Sequence, residues 1–205
     1  VSPSEPITLP LRFFQCFLDT LKLELGVETL VWMLEMAQLP AELTAPEAAS
    51  RSTGASAAEA YARIQQAMRI YYGRGARGSL TRIGRVLWPR LLASASFAEK
   101  AQAQLVRSLP AARRPKAALE LLARLMRQKP ADASLHTLDL DLLLVDHAAV
   151  AALGQTESNP VCYVTLGLIQ ESLFWADGRE HDIEEVSCRA MGGEVCEFKI
   201  KLDGR

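Results

Sequence analysis

Four cysteines supply the most reactive side chains in this sequence, and three of them crowd its last quarter. Cys16 falls on the apolar face of a helical repeat, where a small thiol packs as a hydrophobe. Cys162, Cys188 and Cys196 stand apart from it, and the last two flank the glycine turn Met191-Gly192-Gly193. A three-residue hairpin loop with a left-handed glycine places Cys188 and Cys196 opposite each other on one sheet face. A two-residue loop at Gly192-Gly193 places them on opposite faces. Facing thiols can close a disulfide or share a soft tetrahedral metal, and a cytoplasmic protein keeps its thiols reduced, which favours the metal. Zinc takes four ligands, and Cys162, at the start of the preceding apolar run, can bring a third thiolate. For the fourth, Glu184 has the strand parity of Cys188, whereas Glu185 reaches that face only through a bulge or bend. Spacing alone leaves the two glutamates open.

The second chemical feature is charge. Between Ala60 and Ala98 lie seven arginines (Arg63, Arg69, Arg74, Arg77, Arg82, Arg85 and Arg90) and no acid, whereas from Gln155 onward ten acids face five basic residues. Such polarity can steer an anionic ligand to the arginines, let the two segments attract each other, or mark a solvated helix face. Within the arginine segment, Gly73-Arg74-Gly75-Ala76-Arg77-Gly78 has the G-x-G-x-x-G form of a dinucleotide loop, but helical spacing precedes it where a buried strand is required. An interhelical turn is the competing reading. His136, His147 and His181 are far apart in sequence, and no serine or cysteine has a recognised nucleophile setting, so the sequence proposes no catalytic residues.

The elements that must position these residues follow from periodicity. Leu11, Phe14, Leu18, Leu21 and Leu25, widened by Phe13 and Phe17, predict an amphipathic helix stopped near Gly26, and a second runs from Glu28 to about Leu39. Residues 41–57, rich in Ala, Ser, Thr and Pro, read as a mobile connection. Tyr61, Ile64, Met68 and Tyr71 mark a third helix running into Gly73. Leu80, Ile83, Leu87 and Leu91 resume the spacing across an interruption expected at Pro89, and further helices are expected at about 96–109 and 113–128. From His136 to Val145 the period changes: Leu138, Leu140, Leu142 and Leu144 alternate with Asp139 and Asp141 as in a strand. A buried helix within Val161–Trp175 follows Pro160, and a hairpin pairs Asp182–Ala190 with Glu194–Leu202. Helices segregated from an antiparallel sheet define an α+β domain. With 205 residues, 49% hydrophobic content and a net charge of −1, the chain is expected to fold as one domain over residues 10–205. That domain comprises an N-terminal helical segment (10–57) and a core (135–205), after a disordered tail over residues 1–9. No run approaches the ~18 apolar residues of a membrane helix. The N-terminus lacks a signal-peptide pattern, so a cytoplasmic location is expected, with no membrane partner. The balanced charge and the lack of a nucleic-acid motif argue against direct nucleic-acid binding.

Several stretches resemble the 4-vinyl reductase domain: Pro160-Val161-Cys162, Thr165-Leu166-Gly167, Gly178-Arg179-Glu180, Glu185-Val186-Ser187-Cys188-Arg189 and Gly192-Gly193-Glu194-Val195-Cys196. The likeness covers about residues 158–202. It is similar to the form in the aromatic-sensing regions of phenol- and xylene-responsive transcriptional activators. Tyr71 to Arg85 also resembles a stretch of stand-alone prokaryotic members. The spacing C-x22-E-x2-C-x7-C of that sensor form is reproduced by Cys162, Glu185, Cys188 and Cys196, and the resemblance implies that these four hold zinc. It thereby selects Glu185 over Glu184 and implies a bulge in the first hairpin strand. Four protein ligands leave no open position, so the zinc is expected to be structural, with its surplus negative charge offset by backbone N–H groups or by Arg179 or Arg189. The resemblance further implies a small-molecule-binding domain, a sensor or a carrier, for a hydrophobic or aromatic ligand. The pocket expected between the N-terminal helices and the sheet draws on Phe13, Phe17, Trp32, Tyr71, Trp88, Tyr163, Phe174 and Trp175, with Arg74 and Arg77 for an anionic group. Two alternatives come from the same resemblance. One is a tetrapyrrole-binding protein or accessory of bacteriochlorophyll vinyl reduction. The other is an interaction and homodimerisation module, because the family resembles subunits of vesicle-tethering complexes in fold.

Overall fold

The computed structural model describes residues 6–127, 129–139 and 141–202. Among these residues, seven α-helices and a four-stranded antiparallel sheet form an α+β architecture, the class the sequence predicts.

Helix α1 (Leu11–Leu25) buries its apolar stripe, Phe13, Phe14, Phe17, Leu18 and Leu21, and ends at Gly26, whose φ of 79° is open to a residue without Cβ. Helix α2 (Val27–Met36) follows. The segment expected to be a mobile connection is more structured than its composition suggests. It forms two short 3-10 turns, Ala41–Thr44 and Ala48–Arg51, and buries Ala48 and Ala49. Helix α3 (Gly54–Tyr72) already starts inside it, nucleated by a capping box in which Thr53 and Ser56 exchange hydrogen bonds. Small residues read as linker here because their role is close packing rather than bulk burial. Of the expected N-terminal tail, residues 1–5 lie outside the described residues. Leu9 is buried, and its N–H donates to the Gly54 carbonyl at 3.0 Å.

The glycine-arginine stretch is an interhelical turn, Gly73–Gly75, leading into α4 (Ala76–Ser94). Pro89 does not interrupt α4 as expected: the helix is continuous through it. Helices α5 (Phe97–Ser108) and α6 (Arg114–Met126) agree with the expected spans. Arg12 of α1 clamps Glu99 of α5 with two hydrogen bonds of 2.7 and 2.8 Å, while Glu99 also caps its own helix at Ser96. This arrangement holds the Glu99 carboxyl down at about 2, chiefly through the Arg12 bonds.

The predicted single strand over 136–145 is instead a hairpin, β1 (Ala133–Leu138) and β2 (Asp141–Asp146). Asp139 adopts a left-handed φ of 54°, which turns the chain, and Leu140 lies outside the described residues. Alternation survives a tight turn, so periodicity alone could not see the reversal. After α7 (Tyr163–Asp177) come β3 (Asp182–Ser187) and β4 (Cys196–Lys201), giving the order β1-β2-β4-β3. Register places Leu144 beside Phe198 and Leu142 beside Ile200, and these four buried side chains form the sheet's inner face.

Helix α7 is apolar nearly all round and crosses α4 at a contact with glycine on both sides. A Cβ on Gly84 would collide with the Val164 carbonyl, and one on Gly167 with the Thr81 carbonyl. Backbone against backbone is the closest approach two helices can make, and it fixes where α7 begins. The seven-arginine segment is largely explained by the fold. Arg85 reaches Glu171 at 2.9 Å and Glu180 at 2.8 Å, Arg69 pairs with Gln155 and Glu157, and Arg82 with Glu24. The mutual attraction of the two segments is therefore realised in contacts.

Candidate metal centre and neighbouring cavities

The centre is assembled from the two ends of a short supersecondary unit. Cys162 precedes the first turn of α7, and Cys196 opens β4 opposite Asp146 of β2. Glu185 lies in β3 opposite Phe198, on the inner face, whereas Glu184 pairs with Lys199 on the other face. Register then shifts between Glu185 and Ser187, leaving Val186 as the extra residue of a bulge. Three positions separate Glu185 from Cys188, an odd step that would send them to opposite faces of a regular strand; one inserted residue restores a common face. The bulge implied by the resemblance is present.

Neither expected loop is observed. The strands end at Ser187 and begin again at Cys196, so the connection is longer than three residues and Cys188 has left the ladder. Its carbonyl accepts from the N–H groups of Met191 (3.0 Å) and Gly193 (3.1 Å), folding the loop back on itself. Gly192 has a φ of 92°, and a Cβ on Gly193 would crowd the Ser187 hydroxyl, so both glycines are demanded by geometry.

One donor atom from each of Cys162, Glu185, Cys188 and Cys196 lies within 4.8 Å of the others. The Sγ atoms of Cys162 and Cys196 are 3.3 Å apart and those of Cys196 and Cys188 4.0 Å, and all three thiols are free. Thiolates about 2.3 Å from a common tetrahedral centre sit ~3.8 Å from each other, so these separations bracket the value a zinc-sized ion requires. The three cysteines are buried, and the Glu185 Oε1 atom is buried without a hydrogen-bond partner, although its Oε2 accepts from the Cys162 N–H at 3.3 Å. A buried carboxyl oxygen with no donor is costly unless a cation meets it. Titration points the same way. Burial, and then the Cys188 thiol, push the Glu185 carboxyl up to about 8, while hydrogen bonds from Cys162 and Cys196 hold Cys188 down as the thiolate. The same contacts with Cys188 push Cys162 up. Four acidic groups are crowded where only part of their charge can be expressed without a cation, which is the condition under which a dication displaces protons. The residues therefore fit a soft tetrahedral ion. Of the expected counter-charges, Arg189 is adjacent: its N–H donates to Cys196 Sγ at 3.4 Å, and its guanidinium binds the carbonyls of His147, Ala148 and Glu194. The exposed Arg179 is engaged elsewhere, its N–H donating to Asp177.

Beside the centre, between the N-terminal helices and the sheet, lies a small cavity of about 30 Å³. Leu9, Phe13, Met126, Leu144 and Val150 give it apolar walls, and Tyr61, Asp146 and Thr165 bring polar groups. It abuts the metal centre through two elements, because Thr165 is one turn beyond Cys162 on α7 and Asp146 faces Cys196. Burial raises the Asp146 carboxyl to about 6 against the opposing pull of the Ala149 N–H, 2.8 Å away, and burial also pushes the Tyr61 hydroxyl up. The sequence reading named Phe13 among the lining residues but missed Tyr61, Asp146 and Thr165 as a group. Asp146 carried a usable signal: it has the parity of the buried Leu142 and Leu144, and an acid at an inward position is an anomaly to be explained.

The seven residues singled out for ligand binding do not gather around that cavity. Arg77 and Tyr163 line a surface cleft of about 500 Å³ that also reaches Glu184 and Glu185. Phe174 and Trp175 line another, of about 600 Å³, with Arg107 and Arg114, and the Arg107 guanidinium lies 5.8 Å from the Trp175 ring centroid. Trp88 is core, packed edge-on against Trp175 with centroids 5.6 Å apart. Tyr71 is half exposed against Trp32, and Arg74 is exposed in the interhelical turn. Phe17, also expected at the pocket, is fully buried and packs on Tyr61.

Residues 144–202 match the family model of the 4-vinyl reductase domain, bearing out the resemblance read from the sequence and extending it back to β2. Among solved structures, the fold is similar to that of an H-NOX protein from S. oneidensis in the Fe(II)NO ligation state. The TM-score is 0.55 at 13% identity, over 95% of this chain and 99% of that one. It is likewise similar to an unliganded Fe(II) H-NOX protein from K. algicida, with a TM-score of 0.57 at 13% identity over 94% and 96% of the two chains. At this identity the likeness is one of fold. No curated protein matches the chain in sequence.

Proposed function

We propose that this protein is a small-molecule-binding domain, a sensor or a carrier, whose helix–sheet interface takes a small hydrophobic or aromatic ligand and whose Cys162, Glu185, Cys188 and Cys196 hold a structural zinc. The observation that carries this reading is the adjacency of an apolar cavity tipped with Tyr61, Asp146 and Thr165 to a buried donor set with an unpartnered carboxyl oxygen. The metal, when bound, cross-links the start of α7 to the hairpin, and four protein donors leave it no position for substrate. Around it the protein contributes N–H groups from Cys162 and Arg189 to offset the charge. The cavity as it stands has room for about one water, so a ligand of aromatic size enters by repacking of its apolar walls. Tyr61 and Thr165 can then hydrogen-bond a hydroxyl or carbonyl group, and Asp146 can accept from a donor. The free thiols agree with a reducing, cytoplasmic compartment, and no helix among the described residues is long and apolar enough to cross a membrane.

The tetrapyrrole alternative has the likeness to Fe(II)-ligating H-NOX proteins in its favour. The cavity does not fit a macrocycle: its volume is that of a water, and no imidazole lines it. The thermal midpoint of the zinc-loaded protein, measured against a panel of phenols, indole and alkylbenzenes, tests the preferred reading. A member of the panel is expected to raise it in the wild type but not in Ala151→Leu, whose side chain fills the cavity. If no member shifts the midpoint and native mass spectrometry finds no adduct, the binding reading fails.

A further inference from the structure

Hairpin β1–β2 brings together two of the three histidines. His136 and His147, 11 positions apart in sequence, each place Nε2 at 2.9 Å from the same atom, the Ser134 hydroxyl oxygen. The two imidazole nitrogens are therefore within twice that distance of each other, facing a common point. Both backbones are fixed. His136 is paired with Leu143 in the ladder, while the His147 N–H donates to Asp132 at 2.9 Å and its carbonyl accepts from Arg189 at 2.8 Å. Ser134 and His136 share the face of β1 turned away from the core, since Ala133 and Leu135 pack inward, and both histidines are exposed.

Two imidazoles converging from a rigid hairpin form a chelating pair for a borderline divalent ion, because imidazole suits Zn²⁺, Ni²⁺ and Cu²⁺ and chelation removes most of the entropic cost of the second bond. The geometry points to a second metal site at His136 and His147, open to solvent and separate from the buried sulfur-rich centre. Each imidazole binds through Nε2 with its proton on Nδ1, and the Ser134 hydroxyl, which already meets both nitrogens, hydrogen-bonds to an ion-bound water or takes a coordination position itself. Two protein donors leave the remaining positions to water or to a donor from another molecule. The site rests on the sheet register alone and stands whether or not the cavity takes a ligand.

Equilibrium dialysis of the purified, full-length protein against Ni²⁺, with its sulfur-bound metal left in place, tests this. One further equivalent of Ni²⁺ is expected in the wild type, with affinity falling at least about tenfold in His136→Ala and in His147→Ala. Both substitutions are on the exposed face, so circular dichroism should be unchanged. Substoichiometric Cu²⁺ should broaden the imidazole resonances of His136 and His147 while sparing His181, which pairs with Asp177 at the end of α7. Absence of the extra equivalent, its retention in either variant, or broadening that does not distinguish the histidines would overturn the site.

Discussion

The corner built from Cys162, Glu185, Cys188 and Cys196 and the set of aromatic and arginine residues expected to bind a ligand make an instructive contrast. The first four come from one helix start and one hairpin, close in sequence, and converge within 4.8 Å. The second set is drawn from α3, α4 and α7, and ends in two separate surface clefts, an interhelical turn and the core. Spacing specifies geometry inside a supersecondary unit, where turn and bulge rules convert sequence steps into directions. Between distant elements direction depends on packing, which no local rule supplies.

The contrast can be broken most severely at the metal corner. Cys196→Ser should abolish metal retention and cost about 4 kcal/mol or more in urea denaturation, since the ion's binding free energy is part of folding free energy. A loss under about 1 kcal/mol would reduce the corner to four crowded side chains. Gly84→Ala is the next largest, at about 3 kcal/mol, because its methyl would force α4 and α7 apart. It sharpens the contrast by separating packing from ligation: the variant should be less stable yet still carry its metal equivalent. An intermediate effect is expected from charge at a distance from the corner. With Glu99 held at about 2, below the ordinary carboxylate value of 4.5, its contribution is fully present above pH 4.5 and is lost as pH falls toward 2. The margin of wild type over Glu99→Gln should therefore be flat, at about 1 to 2 kcal/mol, from pH 5 to 7 and should shrink on acidification below that range. Smallest of all is Arg77→Ala. Its exposed side chain should be worth within about 0.5 kcal/mol, with metal content unchanged, and a larger loss would mean that the dispersed residues are organised after all.

Much of the architecture was legible because helices announce themselves at steps of three and four. The α+β class, the glycine-stopped α1 and the buried α7 all follow from patterning. What stayed hidden had physical reasons. The β1–β2 turn falls where Asp139 adopts a left-handed conformation, and alternating leucines continue across it without a break. Pro89 remains inside α4 although it lacks an N–H, because a proline can be accommodated where surrounding packing sustains the helix. Small residues at 48, 49 and 57 disguised a packed segment as a linker. At the metal corner, residue types and gaps were readable, whereas the choice of Glu185 needed the family resemblance, and its cause, a one-residue bulge at Val186, is visible only in the register. The convergence of His136 and His147 on Ser134 was out of reach for the same reason: it depends on a hairpin that periodicity had read as one strand.

The most direct test of the central claim is native mass spectrometry of the protein purified from its own host, combined with titration of its thiols before and after chelation. The account predicts one zinc per chain, with Cys162, Cys188 and Cys196 protected until the chelator removes the ion and reactive afterwards. Less than about a tenth of an equivalent of metal, with these three thiols no more reactive after chelation than before, would contradict it.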